Sequence, residues 1–295
     1  FQAEDGIRDF CLSRGLGDVY KRQVNKDNLF KIPIDPIRLK NDKGRLADYE
    51  DTVSTDKNRK TIEKHNNLLA KSNIVLTKKV NIDRSRIVDF SNNSSHRIFS
   101  HNSFTLHGRF YGPWWQSLKS EERKYIKING ESVVELDYGS LHVHLAYSKL
   151  GIDYGNDNDP YSLDGFDKKD RGIIKIATLT SLNMRTEKFF SQTVAKRLLE
   201  DGLYRKDIPY KTMKEAIIMK HSPIKKYFFS GIGLEFMYLD SKVTEYIMKK
   251  FTTKKIPVLC IHDSYVVGKS YKNLLLEIMT NAFRYNKLNS IPVIK

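Results

Sequence analysis

The sequence predicts an α+β fold, a mixed sheet packed on helices, from three observations. Apolar, β-branched runs at Ser132–Tyr138 and Ile256–Ser270 read as strands. Segments with apolar residues at helical spacing lie between and after them. The resulting order of strand, helices, hairpin and helix lacks the regular alternation of βαβ units. With 295 residues, 40% hydrophobic and 29% charged, the chain has ordinary globular composition, enough for one large domain or two small ones. No run of about 18 apolar residues occurs, so no transmembrane helix is implied. The net charge of +16 argues for a polyanionic partner, nucleic acid first and an acidic membrane surface second.

The N-terminal stretch is set aside from the fold. Gln2–Asp9, "QAEDGIRD", back-translates without strain to CAAGCAGAAGACGGCATACGAGAT, and Ser13–Gln23, "SRGLGDVYKRQ", to a transposase-adapter end. Phe1–Gln23 therefore resembles translated sequencing-library adapters, an artefactual leader, with the natural N-terminus expected upstream of Val24. Its basic residues (Arg8, Arg14, Lys21, Arg22) balance its acidic ones (Glu4, Asp5, Asp9, Asp18), so the positive charge belongs to the remainder. Residues 24–100 are polar and basic and are expected to be mobile, with one or two exposed helices and a loop at Ser91–Arg97. From Phe104 to the end the chain reads as a compact domain. Ser132–Tyr138 is a strand, and "SLHVHLAYSKLG" a helix stopped by Gly151. "DPYSLDGFDKKD" is a connector, and "RGIIKIATLTSLN" a helix with Asp167 or Asp170 as its cap. Helices follow at Thr212–Phe229, broken near Pro223, and at Leu234–Phe251. Ile256–Ser270 is then a β-hairpin, and Tyr271–Tyr285 a final helix. Of two cysteines, Cys11 lies in the leader and Cys260 in an apolar run, where a buried reduced thiol is expected.

Asp137 and Asp263 each end or interrupt an apolar strand, where a carboxylate needs compensation. Two strands of one sheet could bring them together, and close carboxylates repel unless a divalent cation sits between them. The alternative is a capping aspartate and a turn aspartate unrelated in space. His262-Asp263-Ser264 does not read as a hydrolase triad, because adjacent strand residues point to opposite faces. His142 and His144, two apart on a helix, diverge by roughly 200° and make a poor zinc pair. Arg171, Lys175 and Leu179 share one helix face, where the two cations could clamp a triphosphate or simply form a solvated basic stripe. "HGRFYGPWW" sets Arg109 among aromatics and could grip a nucleic-acid backbone, although at least one of Trp114 and Trp115 is expected in the core.

Taken in order, these segments resemble the motifs of family A DNA polymerases and phage-type single-subunit RNA polymerases. "VVELDYGSLHVHLAY" resembles motif A, D-Y-S-x-I-E-L-R: Asp137 and Tyr138 match, and Gly139, His142 and His144 depart. "RGIIKIATLTSLN" resembles motif B, R-x-x-x-K-x-x-x-[FM]-x-x-x-Y: Arg171 and Lys175 match, with Leu179 and Asn183 replacing the later positions. "VLCIHDSYVV" is similar to motif C, H-D-E in the DNA polymerases and H-D-S-F in the RNA polymerases. "LHGRFY" is similar to the G-R-[VF]-Y element of the latter. These motifs span Thr105 to Val267.

The resemblance implies a right-hand polymerase palm, an antiparallel sheet on helices over 101–295, with a helical fingers insertion at about 155–230. Residues 24–100 would be a reduced thumb or linker. It implies a template-directed nucleotidyltransferase in which Asp137, Asp263 and the Tyr138 carbonyl hold two Mg²⁺, with Mn²⁺ as an alternative. Lys175 would meet the incoming triphosphate and protonate the pyrophosphate, assisted by Arg171. His142, Leu179 and Asn183 would lie at the nucleotide. Arg109, Tyr111 and His262 would lie near the primer–template. The expected partners are primer–template DNA or RNA and nucleoside triphosphates. The protein would be a cytoplasmic monomer of a phage, plasmid or mobile element with no membrane attachment. The alternatives are a single-subunit RNA polymerase or primase-like enzyme, a non-catalytic basic nucleic-acid-binding replication protein, and a metal-dependent nuclease.

Overall fold

The structure is a computed structural model that describes residues 35–78 and 88–295; the leader at Phe1–Gln23 lies outside the described residues. Asp35–Lys295 forms one compact unit. In chain order its first elements are β1 (Ile37–Lys40), β2 (Leu46–Ala47), α1 (Val53–Ala70), β3 (Ile74–Leu76), β4 (His96–Ser100) and β5 (Ser103–Tyr111). These are followed by α2 (Ser120–Arg123), β6 (Ile126–Ile128), β7 (Glu131–Asp137) and α3 (Leu141–Ser148). A helical stretch comes next, α4 (Arg171–Asn183), α5 (Phe190–Glu200), α6 (Tyr210–Lys220) and α7 (Gly233–Thr253). The chain ends with β8 (Leu259–Ile261), β9 (Ser264–Gly268) and α8 (Lys272–Tyr285). The fold is thus mixed α/β with largely antiparallel sheets, in line with the expected class.

The strands make a four-stranded sheet in the order β2-β1-β4-β5 and a five-stranded sheet in the order β3-β6-β7-β9-β8. β1 and β4 are parallel and every other pair is antiparallel. Alternation along β7 and β9 divides the five-stranded sheet into two faces. Leu136, Tyr265 and Val267 point into the main core with the helices, while Val133 and Val266 join Trp114, Trp115 and Leu118 in a second cluster. Both tryptophans of "HGRFYGPWW" are core residues, buried to 3% and 1% exposure, so neither offers a stacking surface to nucleic acid.

The first part of the chain differs from expectation. Among the described residues, 37–100 supply three strands of one sheet and the edge strand of the other, besides the helix α1. These strands are only two to five residues long. At that length no alternation announces them, and β1 and β3 also pair with strands distant in sequence, β4 and β6. Within α1, Thr52 caps the first turn: its hydroxyl accepts the Thr55 N–H at 3.1 Å. The predicted helix over Thr212–Phe229 stops at Lys220, and a 3₁₀ segment, Ser222–Tyr227, carries Pro223 in its first turn. Asp170 does not cap α4 through its side chain; it accepts from the Asp167 N–H at 3.2 Å and from Arg205 at 2.8 Å. α5 was not anticipated, although Phe190, Val194 and Leu198 recur at one-turn spacing and are buried. Among the described residues no helix is long and apolar enough to cross a membrane.

Candidate active site

β7 and β9 pair so that Asp137 lies opposite Ser264, with Asp263 next in the chain. The Tyr138 N–H donates to the Asp263 carbonyl at 3.2 Å. β8 and β9 are joined by the two-residue turn His262-Asp263, in which His262 takes the left-handed conformation at φ 53°. The polar tip of the hairpin is therefore a tight turn seated beside the end of β7. Behind it, the Ser264 hydroxyl donates to Glu135 at 2.7 Å, and Arg123 grips the same carboxylate at 2.9 and 2.5 Å. This network fixes the turn from below.

The backbone after Asp137 is equally constrained. Asp137 and Lys295 exchange N–H···O bonds of 2.9 and 3.0 Å, and the Gly139 N–H donates to the Val293 carbonyl at 2.8 Å. A Cβ on Gly139 would lie 3.2 Å from that carbonyl, which accounts for glycine at this departure from motif A. Tyr138 contributes its backbone here. Its ring is core, packed on Tyr265 and Phe283, and its hydroxyl donates to the Met279 carbonyl at 2.7 Å.

Asp137 keeps solvent contact, yet its carboxyl is pushed up to about 7. Desolvation at the crowded strand end is the main cause, Asp263's negative charge adds to it, and Lys175 pulls the other way. Two carboxylates and an opposing lysine from three separate elements thus act on one another. Lys175 and Arg171 are both exposed on α4, with half-buried Leu179 a turn further on. Arg171 is already engaged: it binds Asp159 through two bonds of 2.6 and 3.0 Å and lies 5.3 Å from the Tyr161 ring. Asn183 closes the end of α4, donating to the Leu179 carbonyl at 2.6 Å and packing so tightly on Gly233 that a Cβ there would lie 1.9 Å from its Oδ1.

Arg109 enters from β5 through a bulge. His107 pairs with Phe99 and Arg109 with Ile98, leaving Gly108, at φ +71°, as the extra residue. A Cβ at Gly108 would lie 2.9 Å from Ser241 Oγ, so the bulge also lets β5 approach α7 closely. Arg109 Nε donates to Asp240 Oδ2 at 2.6 Å, and Nη2 lies 3.2 Å from His142 Nε2. Burial opposes the Arg109 charge, but Asp240 and Asp263 more than offset it and raise its pKa. Asp240 is 1% exposed, and burial followed by repulsion from Asp263 pushes its carboxyl up to about 6 against the pull of Arg109. Its second oxygen, Oδ1, is buried without a partner. Burial and Arg109 hold His142 down at about 3, so it is neutral and accepts from Arg109. His262, lowered to about 4 chiefly by burial, sets its ring edge-on to Tyr111 at 5.2 Å. Tyr111 in turn meets His107 Nε2 at 3.0 Å.

The fold thus gathers Asp137, Asp263, Lys175 and Arg109 into one electrostatic cluster, with His142 held on Arg109. Asp240, Asp159 and Tyr161 are additions that the motifs do not mark. Asp240 sits on an amphipathic helix among other charged residues, and nothing local distinguishes it. Among the described residues no group of three or more His, Cys, Asp or Glu side chains could form a metal cage. The donor set of two carboxylates suits a hard cation that takes its remaining ligands from water or phosphate, as Mg²⁺ does.

No protein-family model and no curated protein matches the chain. Among solved structures it is similar to the POL domain of Pol1 from M. smegmatis, in complex with DNA primer-template and dNTP, at 12% identity and a TM-score of 0.38. The match covers 82% of this chain and 50% of that one, so the chain spans about half the length of that structure.

Proposed function

We propose that this chain is a template-directed nucleotidyltransferase of the polymerase type. Its five-stranded sheet would serve as the palm, and the helical stretch containing α4, α5 and α6 as the fingers. The supporting observation is the convergence of motif residues distant in sequence: Asp137 and Asp263 at adjacent ends of paired strands, with Lys175 and Arg109 each acting on one of the two carboxylates.

Asp137, Asp263 and the Tyr138 carbonyl would hold divalent cations, Mg²⁺ with Mn²⁺ as an alternative. When bound, these would polarise the phosphate and favour an oxyanion nucleophile. The chain's own residues supply the rest. Lys175, exposed and near enough to pull the Asp137 carboxyl down, is suited to pair with a triphosphate and to protonate the departing pyrophosphate oxygen. Arg171 would leave Asp159 to reach the same phosphates, or orient Asp159 in the empty state. Arg109, held by Asp240 and His142, is suited to a backbone phosphate of the primer–template, with Tyr111 and His262 beside it. Neutral His142 would lie near the sugar, and Leu179 and Asn183 near the base of the incoming nucleotide.

Extension of a primed template with Mg²⁺ and either dNTPs or rNTPs tests the proposal and reads sugar choice. Wild type should incorporate nucleotides, and Asp263→Ala should abolish incorporation. No extension by wild type, or full activity of the variant, would refute it.

A further inference from the structure

A second basic surface faces away from the carboxylates. On α7, Asp240 points toward Arg109, whereas Lys242, Glu245 and Lys249 lie roughly 140–200° around the helix at 100° per residue. They border a cleft of about 330 Å³ between α1, β5, α7 and α8. Glu245, buried on the cleft floor, receives three cations: Arg97 at 3.0 Å, Lys242 at 2.9 Å, and Lys249. Lys57 and Lys250 add positive charge with no carboxylate partner among the described residues. The walls therefore carry five cations (Arg97, Lys57, Lys242, Lys249, Lys250) against one carboxylate (Glu245). That imbalance favours an anionic ligand.

The mouth of the cleft is aromatic. Tyr246 and Tyr285 lie with ring centroids 4.7 Å apart at 36°, and Lys250 sits 5.2 Å from the Tyr246 ring. Tyr285 packs on Tyr246 and is still 70% exposed, which leaves most of its ring open to a ligand. Lysines along a groove beside an open aromatic platform are the two elements that bind single-stranded nucleic acid without sequence preference. A cleft of this volume accommodates about one nucleotide unit.

We propose that this cleft is a second nucleic-acid site, one that seats the phosphates of a single strand on Lys57 and Lys250, the two cations that Glu245 does not hold, and stacks a base on Tyr285. The site is independent of the carboxylate cluster and of nucleotidyl transfer.

The test is fluorescence anisotropy of a labelled oligothymidylate of about 12 nucleotides, titrated with the full chain in EDTA over a range of salt concentrations. The variants are Tyr285→Ala and the double charge reversal Lys57→Glu/Lys250→Glu, with Lys43→Glu/Lys272→Glu as an exposed control. Circular dichroism and urea midpoints confirm that each is folded. Tyr285→Ala should raise Kd about 5- to 100-fold. The double reversal should flatten the slope of log K against log salt by about 1.4. The control should match wild type, apart from a small general charge effect. Wild-type Kd and slope in both cleft variants would overturn the proposal, as would an equal loss in the control. Tighter binding of anionic vesicles or polyglutamate than of the oligonucleotide would overturn it as well. Because the assay excludes metal and reads binding alone, failure of the nucleotidyltransferase reading leaves this result unaffected.

Discussion

The ion pair between Arg109 and Asp240 gives the sharpest stability prediction. Its Nε–Oδ2 distance is 2.6 Å, and its side chains are 16% and 1% exposed. Removing one partner of such a pair strands the other charge in a poorly solvated site, at a cost of about 3–5 kcal/mol. Asp240→Ala should therefore lower the urea midpoint by about 1–1.7 M, taking an m-value of roughly 3 kcal/mol/M. Arg109→Met/Asp240→Leu removes both charges and fills the space, so it should be more stable than Asp240→Ala. The pH dependence has a fixed sign. Below about pH 4 the Asp240 carboxyl is protonated in both folded and unfolded states. Between about 4 and 6 the unfolded chain has released the proton and the folded chain retains it, so stability falls as pH rises through this window. A shift of about two units corresponds to about 3 kcal/mol. Asp137, pushed up to about 7, contributes with the same sign over a wider range, so the quantity to read is the difference between wild type and Asp240→Asn. A cost below about 1 kcal/mol for Asp240→Ala, or a double variant no more stable than the single one, would refute the reasoning.

Lys175→Ala removes an exposed side chain, so its unfolding free energy in urea should stay within about 0.5 kcal/mol of wild type. Single-turnover incorporation should nevertheless fall about 100- to 10,000-fold, the range for loss of a general acid. Because Asp137 is pushed up to about 7, incorporation should rise with pH through neutrality as the carboxyl ionises. The midpoint of that rise should move to lower pH as Mg²⁺ increases, since a cation favours the ionised form. Cys260 is buried, and burial pushes its thiol up to about 12. Peptide mapping after treatment with a thiol reagent at pH 8 should therefore find Cys260 unmodified in the native protein and modified in urea.

Much of the candidate site was legible because its residues sit at element ends that local pattern already marks. The run "SVVELD" closes on a carboxylate, "LCIHDSYVVG" alternates about a polar turn, and Arg171 and Lys175 are one helical turn apart. Each needs only nearby residues to be recognised. What escaped depends on contacts between distant segments. β1 and β4 form a parallel pair between short strands, which periodicity cannot predict. Asp240 becomes a buried carboxylate only because the Gly108 bulge brings Arg109 onto α7. Asp159, in a stretch that reads as a plain connector, gains meaning only from Arg171 folding over it. The tryptophan pair misled in the other direction: beside Gly and Arg it suggested a nucleic-acid platform, but the second face of the sheet needed large apolar side chains to cover it.

The account stands on Asp137 and Asp263 acting as one cation site. Electron paramagnetic resonance of Mn²⁺ reads this directly, as the free ion is titrated with wild type, Asp137→Asn and Asp263→Asn. Wild type should withdraw Mn²⁺ from solution, and each variant, folded by circular dichroism, should bind at least about tenfold more weakly, a loss of about 1.4 kcal/mol. Wild-type Mn²⁺ binding retained by either folded variant would contradict it.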